Sequence, residues 1–159
     1  MISGKDFQYF SFISHVLKCD FHLIWLFVGS LALNDEGNQS RFKAANGCTA
    51  VVDALRDHGE NLEVAEFACR AIFNLCADPQ NVGELGQQGC GLVVSVLRTH
   101  MTKAPVVTQA LLALHSLAVK WKADKPHKGN TKKLVKEGAI EMVVSAMQVS
   151  NLIIIIIIL

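Results

Sequence analysis

Net charge is almost absent from this chain: 15 Lys and Arg stand against 14 Asp and Glu, a formal +1 at neutral pH. Without an excess of either sign, there is no electrostatic case for nucleic acid or anionic lipid as the principal target. Paired cysteine motifs are missing too. Cys19, Cys48, Cys69, Cys76 and Cys90 form no CxxC, and their number is odd. This argues against a disulfide framework and for a reducing compartment. Cys69, Cys76 and Cys90 lie within or beside apolar helical pattern, where a free thiol acts as a small hydrophobe. Long hydrophobic runs are also lacking. Residues 21–33 (FHLIWLFVGSLAL) cover only 13 positions and include His22, whereas a spanning helix needs about 20 apolar residues. The same run could serve a signal peptide with Ser30-Leu31-Ala32 as cleavage site. It starts late, however, and Lys18 and Asp20 interrupt its approach. Gly83, Gly86, Gly89 and Gly91 lack the preceding strand that a phosphate-cradling loop requires.

What the chain does have is repetition. Apolar residues make up 51% of its 159 positions, with the excess at the two ends, while residues 34–150 read as ordinary helical sequence. One pattern is written three times: Asn, an apolar residue about four positions on, Gly after four or five more, then an apolar stretch. The copies start at Asn38 (Phe42, Gly47, CTAVVDAL), Asn81 (Leu85, Gly89, CGLVVSVL) and Asn130 (Leu134, Gly138, AIEMVVSAM), with glycines 42 and 49 residues apart. A second element follows each copy. Residues 64–77 (VAEFACRAIFNLCA) place Phe67, Ala68, Ala71, Ile72 and Leu75 on one helical side. Residues 106–119 (VVTQALLALHSLAV) do the same with Gln109, Ala110, Ala113, Leu114 and Leu117. Residues 24–33 align with both and set Ser30 beside Asn74 and Ser116, so they read as the last helix of an earlier repeat.

A period in the forties is that of stacked helical units, each burying its apolar face against its neighbours. The predicted division is a partial repeat 7–35, repeats 38–78 and 81–124, a partial repeat 130–149, and a low-complexity apolar tail 150–159. Asn81 and Asn130 are expected as N-caps of short first helices, and Gly89 and Gly138 as their left-handed ends. Pro79 falls just after one third helix, and Pro105 just inside the next. No strand is expected, because Val51-Val52 and Val93-Val94 sit in longer helical pattern. Its last seven residues, six Ile and a Leu at 153–159, have no amphipathic face; exposed, they invite strand pairing. Neither end has the polar face of a capping unit, so the expectation is a fragment of a longer array.

The residues of these units resemble armadillo repeats. EFACRAIFNLCAD matches that family's third helix and NTKKLVKEGAIEMVVSAM its first two, and the resemblance covers residues 38–147 well and 24–33 weakly. It implies an all-α, right-handed α-solenoid of two full repeats flanked by partial ones, whose third helices line a concave groove for an extended partner segment. Carried onto matching positions, it implies that Arg70, Asn74, Leu112 and Ser116 bind the partner. Asn74 stands at the family's groove asparagine, and Ser116 and Ser30 replace it in the other units. Where nuclear-import members carry tryptophan, this chain has Arg70, Leu112 and Leu26, which argues against import-signal binding in their manner.

Reactive chemistry is thin. His15, Cys19 and His22 share helical spacing but lack a fourth ligand. His58 and His100 follow two second helices at comparable places, which suggests that they meet helix-end carbonyls. No base, orienting group and nucleophile come together. Residues 120–136 carry Lys120, Lys122, Lys125, Lys128, Lys132, Lys133 and Lys136 around Trp121 and His127, the pattern of a solvated loop and a polar helix side. The expected function is therefore a non-enzymatic protein-interaction scaffold in the cytoplasm or nucleus. It needs no cofactor, metal or small-molecule substrate, and its partner is a protein or peptide. Two readings compete: a nucleic-acid binder using the lysine-rich segment, or the regulatory arm of a larger enzyme.

Overall fold

The computed structural model describes residue 41 and residues 44–120 and 125–158. The expected partial repeat 7–35, the trio His15, Cys19 and His22, and Leu26, Ser30, Asn38, Phe42 and Trp121 lie outside the described residues. Among those described the fold is all-α: α1 Gly47–His58, α2 Leu62–Leu75, α3 Pro79–Thr99, α4 Ala104–Ala118, α5 Lys128–Lys136 and α6 Ala139–Ile158. The exception to helix is a two-residue antiparallel pair, β1 Val119–Lys120 with β2 Lys125–Pro126, which closes the α4–α5 connection. No helix among the described residues is long and apolar enough to cross a membrane.

Each helix start has a local cause. Asn61 caps α2 by accepting from the amides of Glu63 at 2.9 Å and Val64 at 3.1 Å, an arrangement that stabilises a helix by about 1 kcal/mol. Asp78 accepts from the Gln80 amide at 2.9 Å, and Pro79 at the first helical position of α3 already has the required φ. Pro105 sits in the first turn of α4. His127 caps α5, with Nδ1 accepting from the Asn130 amide at 3.3 Å.

Two expected features differ. Gly89 does not end a helix; α3 runs through it unbroken for 21 residues. Glycine permits a left-handed turn but does not impose one. Gly89 is buried within the helix, and an added carbon would meet Val52 at 3.8 Å and Ile72 at 3.9 Å, ordinary contact distances. Nor are Asn81 and Asn130 N-caps. Both fall at the third position of their helices, after Asp78 and His127 have taken the caps, and both turn inward.

Gly138 does break the chain, at φ +85°, between α5 and α6. Among the described residues the other left-handed one is Asn46 at φ 58°, immediately before α1. These two hold corresponding places, so Gly47 is one residue past the position that Gly138 fills. The apolar set of the second helices then aligns as Cys48, Val52 and Leu55 in α1, Cys90, Val94 and Leu97 in α3, and Ile140, Val144 and Met147 in α6.

Packing follows the same order. The helix α2 lies against α4, α1 against α3, and α3 against α5 and α6, while α1 also packs on α2 and α3 on α4. Ile72, Leu75, Leu85, Leu97, Leu117, Val51, Val52, Val93, Val94 and Val106 are fully buried between these layers. Removing a side chain of that kind from water contributes about 1.5–3 kcal/mol. The backbone of α6 remains helical through Ile158, taking in most of the apolar tail.

Candidate functional site

The surface worth building is the one that α2 and α4 share. The stripes that face the core, Phe67, Ala68, Ala71, Ile72 and Leu75 on α2 and Ala110, Ala113, Leu114 and Leu117 on α4, are all buried. Small alanines on the facing sides let the two helices approach closely. What these stripes leave outward occurs at repeat-equivalent places: Glu66 with Thr108, Arg70 with Leu112, and Phe73 with His115. A ridge of alternating character therefore runs along each helix, with the two ridges on neighbouring elements.

The four residues expected to bind a partner divide into two levels. Arg70 is half-buried, its guanidinium carbon 5.9 Å from the centroid of the Phe67 ring, a placement that favours a cation over an aromatic face. Leu112 is 36% exposed. Asn74 and Ser116 lie beneath, at 7% and 3% exposure, and Ser116 Oγ has no hydrogen-bond partner among the described residues. The residues one place earlier, Phe73 and His115, reach the surface instead. Sequence alignment alone missed them, because a helix turns by about 100° per residue and one step separates the inward row from the outward one. The signal was present in spacing: Arg70 and Phe73, like Leu112 and His115, are three apart on one face.

A second set of polar groups sits inside. Asn81 donates through Nδ2 to the Leu75 carbonyl at 3.0 Å. Asn130 donates to the Leu117 carbonyl at 3.0 Å and to the Val82 carbonyl at 2.9 Å. Leu75 and Leu117 stand 42 positions apart at the ends of α2 and α4, so each asparagine ties the last turn of one helix to the first turn of the next. His100 plays a parallel part, its Nε2 lying 2.8 Å from the Gly59 carbonyl oxygen. The nitrogen must donate, since a carbonyl only accepts; the helix-end role expected from sequence holds for this histidine.

The described cysteines are buried and unpaired by disulfide. Burial pushes the Cys69 thiol up to about 12. It raises Cys90 to about 11, with Lys133 pulling down and Glu137 pushing up. Cys76 rises further, through burial first and then the neighbouring Cys48 and Cys90. Such thiols stay protonated at neutral pH and are unsuited to attack or ligation. Among the described residues, no group of three or more His, Cys, Asp or Glu side chains converges on a point where a metal could sit. Of the lysine-rich segment, Lys128, Lys132 and Lys136 lie exposed at four-residue spacing on α5, and Lys133 reaches the Gln87 carbonyl.

The arrangement thus offers a cation, a carboxylate, an imidazole and apolar area side by side on two rigid helices. Compared with protein-family models, with curated proteins and with solved structures, the chain matches none.

Proposed function

We propose that the chain is an armadillo-type solenoid that acts as a non-enzymatic interaction scaffold, holding a segment of a partner protein across α2 and α4. The observation that carries this reading is the side-by-side packing of two helices whose outward residues occupy equivalent places 42 positions apart. Such a surface recognises something extended, because contacts recur from one unit to the next. Arg70 would pair with an acidic or carbonyl group of the partner, and Phe73 and Leu112 would supply apolar area. His115 would add a polar contact at the rim. Asn74 and Ser116, lying beneath, would set the spacing of the two helices. The buried cysteines, none in a disulfide among the described residues, support a cytoplasmic or nuclear setting.

The test is affinity capture with the whole chain beside an Arg70→Glu/Leu112→Glu variant. Both changes are on the surface, so helicity should be retained. Loss of the same proteins from the variant is the expected result, and retention of all of them would remove this face from consideration.

One observation favours a second reading, the exposed Lys128, Lys132 and Lys136 on α5. If these track phosphates, binding to a single-stranded oligonucleotide would weaken steeply with salt, by about 0.7 logarithmic units per tenfold salt for each phosphate neutralised. A flat salt response would dispose of that alternative.

A further inference from the structure

The formal charge of +1 is the sum of two unlike regions. Residues 44–78 hold six Asp and Glu against two Arg, whereas residues 120–136 hold seven Lys against one Asp. Such asymmetry within one chain points to contact between charged faces. It coincides with a second feature. Six large apolar side chains are exposed among the described residues: Ile140, Val144 and Met147 stand on α6, and Leu112 belongs to the α2–α4 surface. The other two are Leu62 at 43% and Val135 at 51%, and each sits among charges of a single sign.

Val135 lies on the outward side of α5. Lys128, Lys132 and Lys136 share that side, all exposed, at successive steps of four residues and about 12 Å from first to last. Glu137 turns away, beside Gly91 of α3. Leu62 opens α2, with Asp57, Glu60 and Glu63 exposed along the turn from α1. Both places are held firmly. Asn61 caps α2 and His100 bonds the Gly59 carbonyl, while Asn130 and Lys133 anchor α5 on α3. Among the described residues the single ion pair joins Arg56 and Asp53, and none of these six charges enters one. Nor do the two patches meet within the chain: α5 packs on α3 and α4, which stand between it and the α1–α2 turn.

Lysines alone would suit phosphates or plain water. The apolar centre decides. A phosphate backbone has no use for Val135, whereas a protein interface is built as an apolar centre inside a polar rim. The α1–α2 turn supplies the matching piece, an apolar side chain among three carboxylates. We infer that the lysine side of α5 docks the acidic α1–α2 turn of a second copy, with Leu62 against Val135 and the opposite charges paired around them. Opposed fields steer the approach. Exposed ion pairs contribute little each, so the association is weak and salt-dependent. A contact between unlike patches closes when two copies exchange it reciprocally, and otherwise continues from copy to copy. Arg70, Phe73, Leu112 and His115 take no part in it.

Sedimentation equilibrium of the whole chain at two salt concentrations tests this. A charge is felt over about 30 Å at about 0.01 M salt and over about 3 Å at about 1 M. At low salt the mass is expected to rise with protein concentration above the 17.4 kDa of one chain, and at high salt to return to it. Lys128→Glu/Lys132→Glu and Asp57→Lys/Glu60→Lys should each sediment as one chain at low salt, with helical circular dichroism unchanged. Lys128 opens α5 and Asp57 lies in the last turn of α1, so both reversals suit the helix dipoles. Mixed in equal amounts, the two variants should associate again, because the acidic turn of one meets the basic α5 of the other. A single-chain mass for the unaltered protein at low salt would overturn the inference and give α5 to a foreign acidic partner or to nucleic acid. An association that persists at high salt would overturn it too, as the work of the isoleucine run, and so would a mixture that stays single.

Discussion

The side chain of Asn130 lies where a side chain on Gly86 would be: a carbon added at Gly86 would coincide with the Asn130 amide group. Gly86 is buried in the middle of α3, and its bareness lets α5 approach closely enough for Asn130 to reach the Val82 carbonyl on one side and Leu117 on the other. The helices α3, α4 and α5 meet at this one amide.

Gly86→Ala should therefore destabilise the protein. Alanine is the better helix former by about 1 kcal/mol, but displacing the amide would break its bonds to the Leu117 and Val82 carbonyls and force it to shift within a packed interior, at about 1–3 kcal/mol. Denaturant titration is expected to show a net loss of about 1–3 kcal/mol. In Gly86→Ala/Asn130→Ala the combined loss should fall short of the sum of the single losses, since both changes remove one arrangement. Full additivity would mean that the two residues do not share it.

Gly89 and Gly138 should respond in opposite directions. Gly89 is helical, and an added methyl would meet Val52 and Ile72 at 3.8 and 3.9 Å, ordinary contact distances. Gly89→Ala is expected to raise stability by about 0.5–1 kcal/mol. Gly138 sits at φ +85°, where a side chain costs roughly 1–2 kcal/mol, so Gly138→Ala should lower the melting temperature. If both substitutions destabilise equally, α3 is broken at Gly89 after all.

His100 joins the end of α3 to the Gly59 carbonyl after α1, across 41 residues of sequence. His100→Ala should cost about 0.5–1.5 kcal/mol for the hydrogen bond. His100→Gln, which can still donate from a similar distance, should recover part of that loss. Amide exchange would report the same change as faster opening around Gly59.

The buried thiols make the fold sensitive to alkali. In the unfolded chain they ionise near 9.0, while Cys69 in the fold holds its proton to about 12 and Cys90 to about 11. Above pH 9 the unfolded state therefore binds fewer protons than the native one, and raising the pH favours unfolding. Stability is fully present below pH 9 and is lost progressively toward 11–12, at about 1.4 kcal/mol per pH unit for Cys69. At neutral pH, Ellman's reagent should react with the four described thiols only after denaturant is added. Rapid native-state labelling at any of them would contradict their burial.

Much of the local architecture was legible in the residues themselves. The stripe Phe67, Ala68, Ala71, Ile72 and Leu75 could be read as inward because three- and four-residue spacing survives any tertiary arrangement. Pro105 marked a helix start, since a fixed φ and a missing amide suit the first turn; Pro79, read as following the end of one helix, proved to open the next. The pairing of His58 with His100 through repetition pointed to helix-end carbonyls, and His100 meets one. Gly89 could not be read this way. Glycine is compatible with a left-handed turn or with the interior of a helix, and only the unbroken course of α3 decided between them.

The candidate surface shows the same division. Repetition paired Arg70 with Leu112 and Asn74 with Ser116, but whether a given row points out or in depends on where the neighbouring helix lies. The packing of α2 on α4 buried Asn74 and Ser116 and left Phe73 and His115 beside Arg70 and Leu112. Sequence by itself determined which segments are helical and how they resemble one another, because these rest on spacing along the chain, but not that α3 continues through Gly89. Tertiary structure alone decided which polar groups are inside, that Asn81 and Asn130 bond carbonyls rather than cap helices, and which core-like face α6 leaves uncovered. Those outcomes depend on groups far apart in the chain arriving at one place, and no local pattern encodes that meeting.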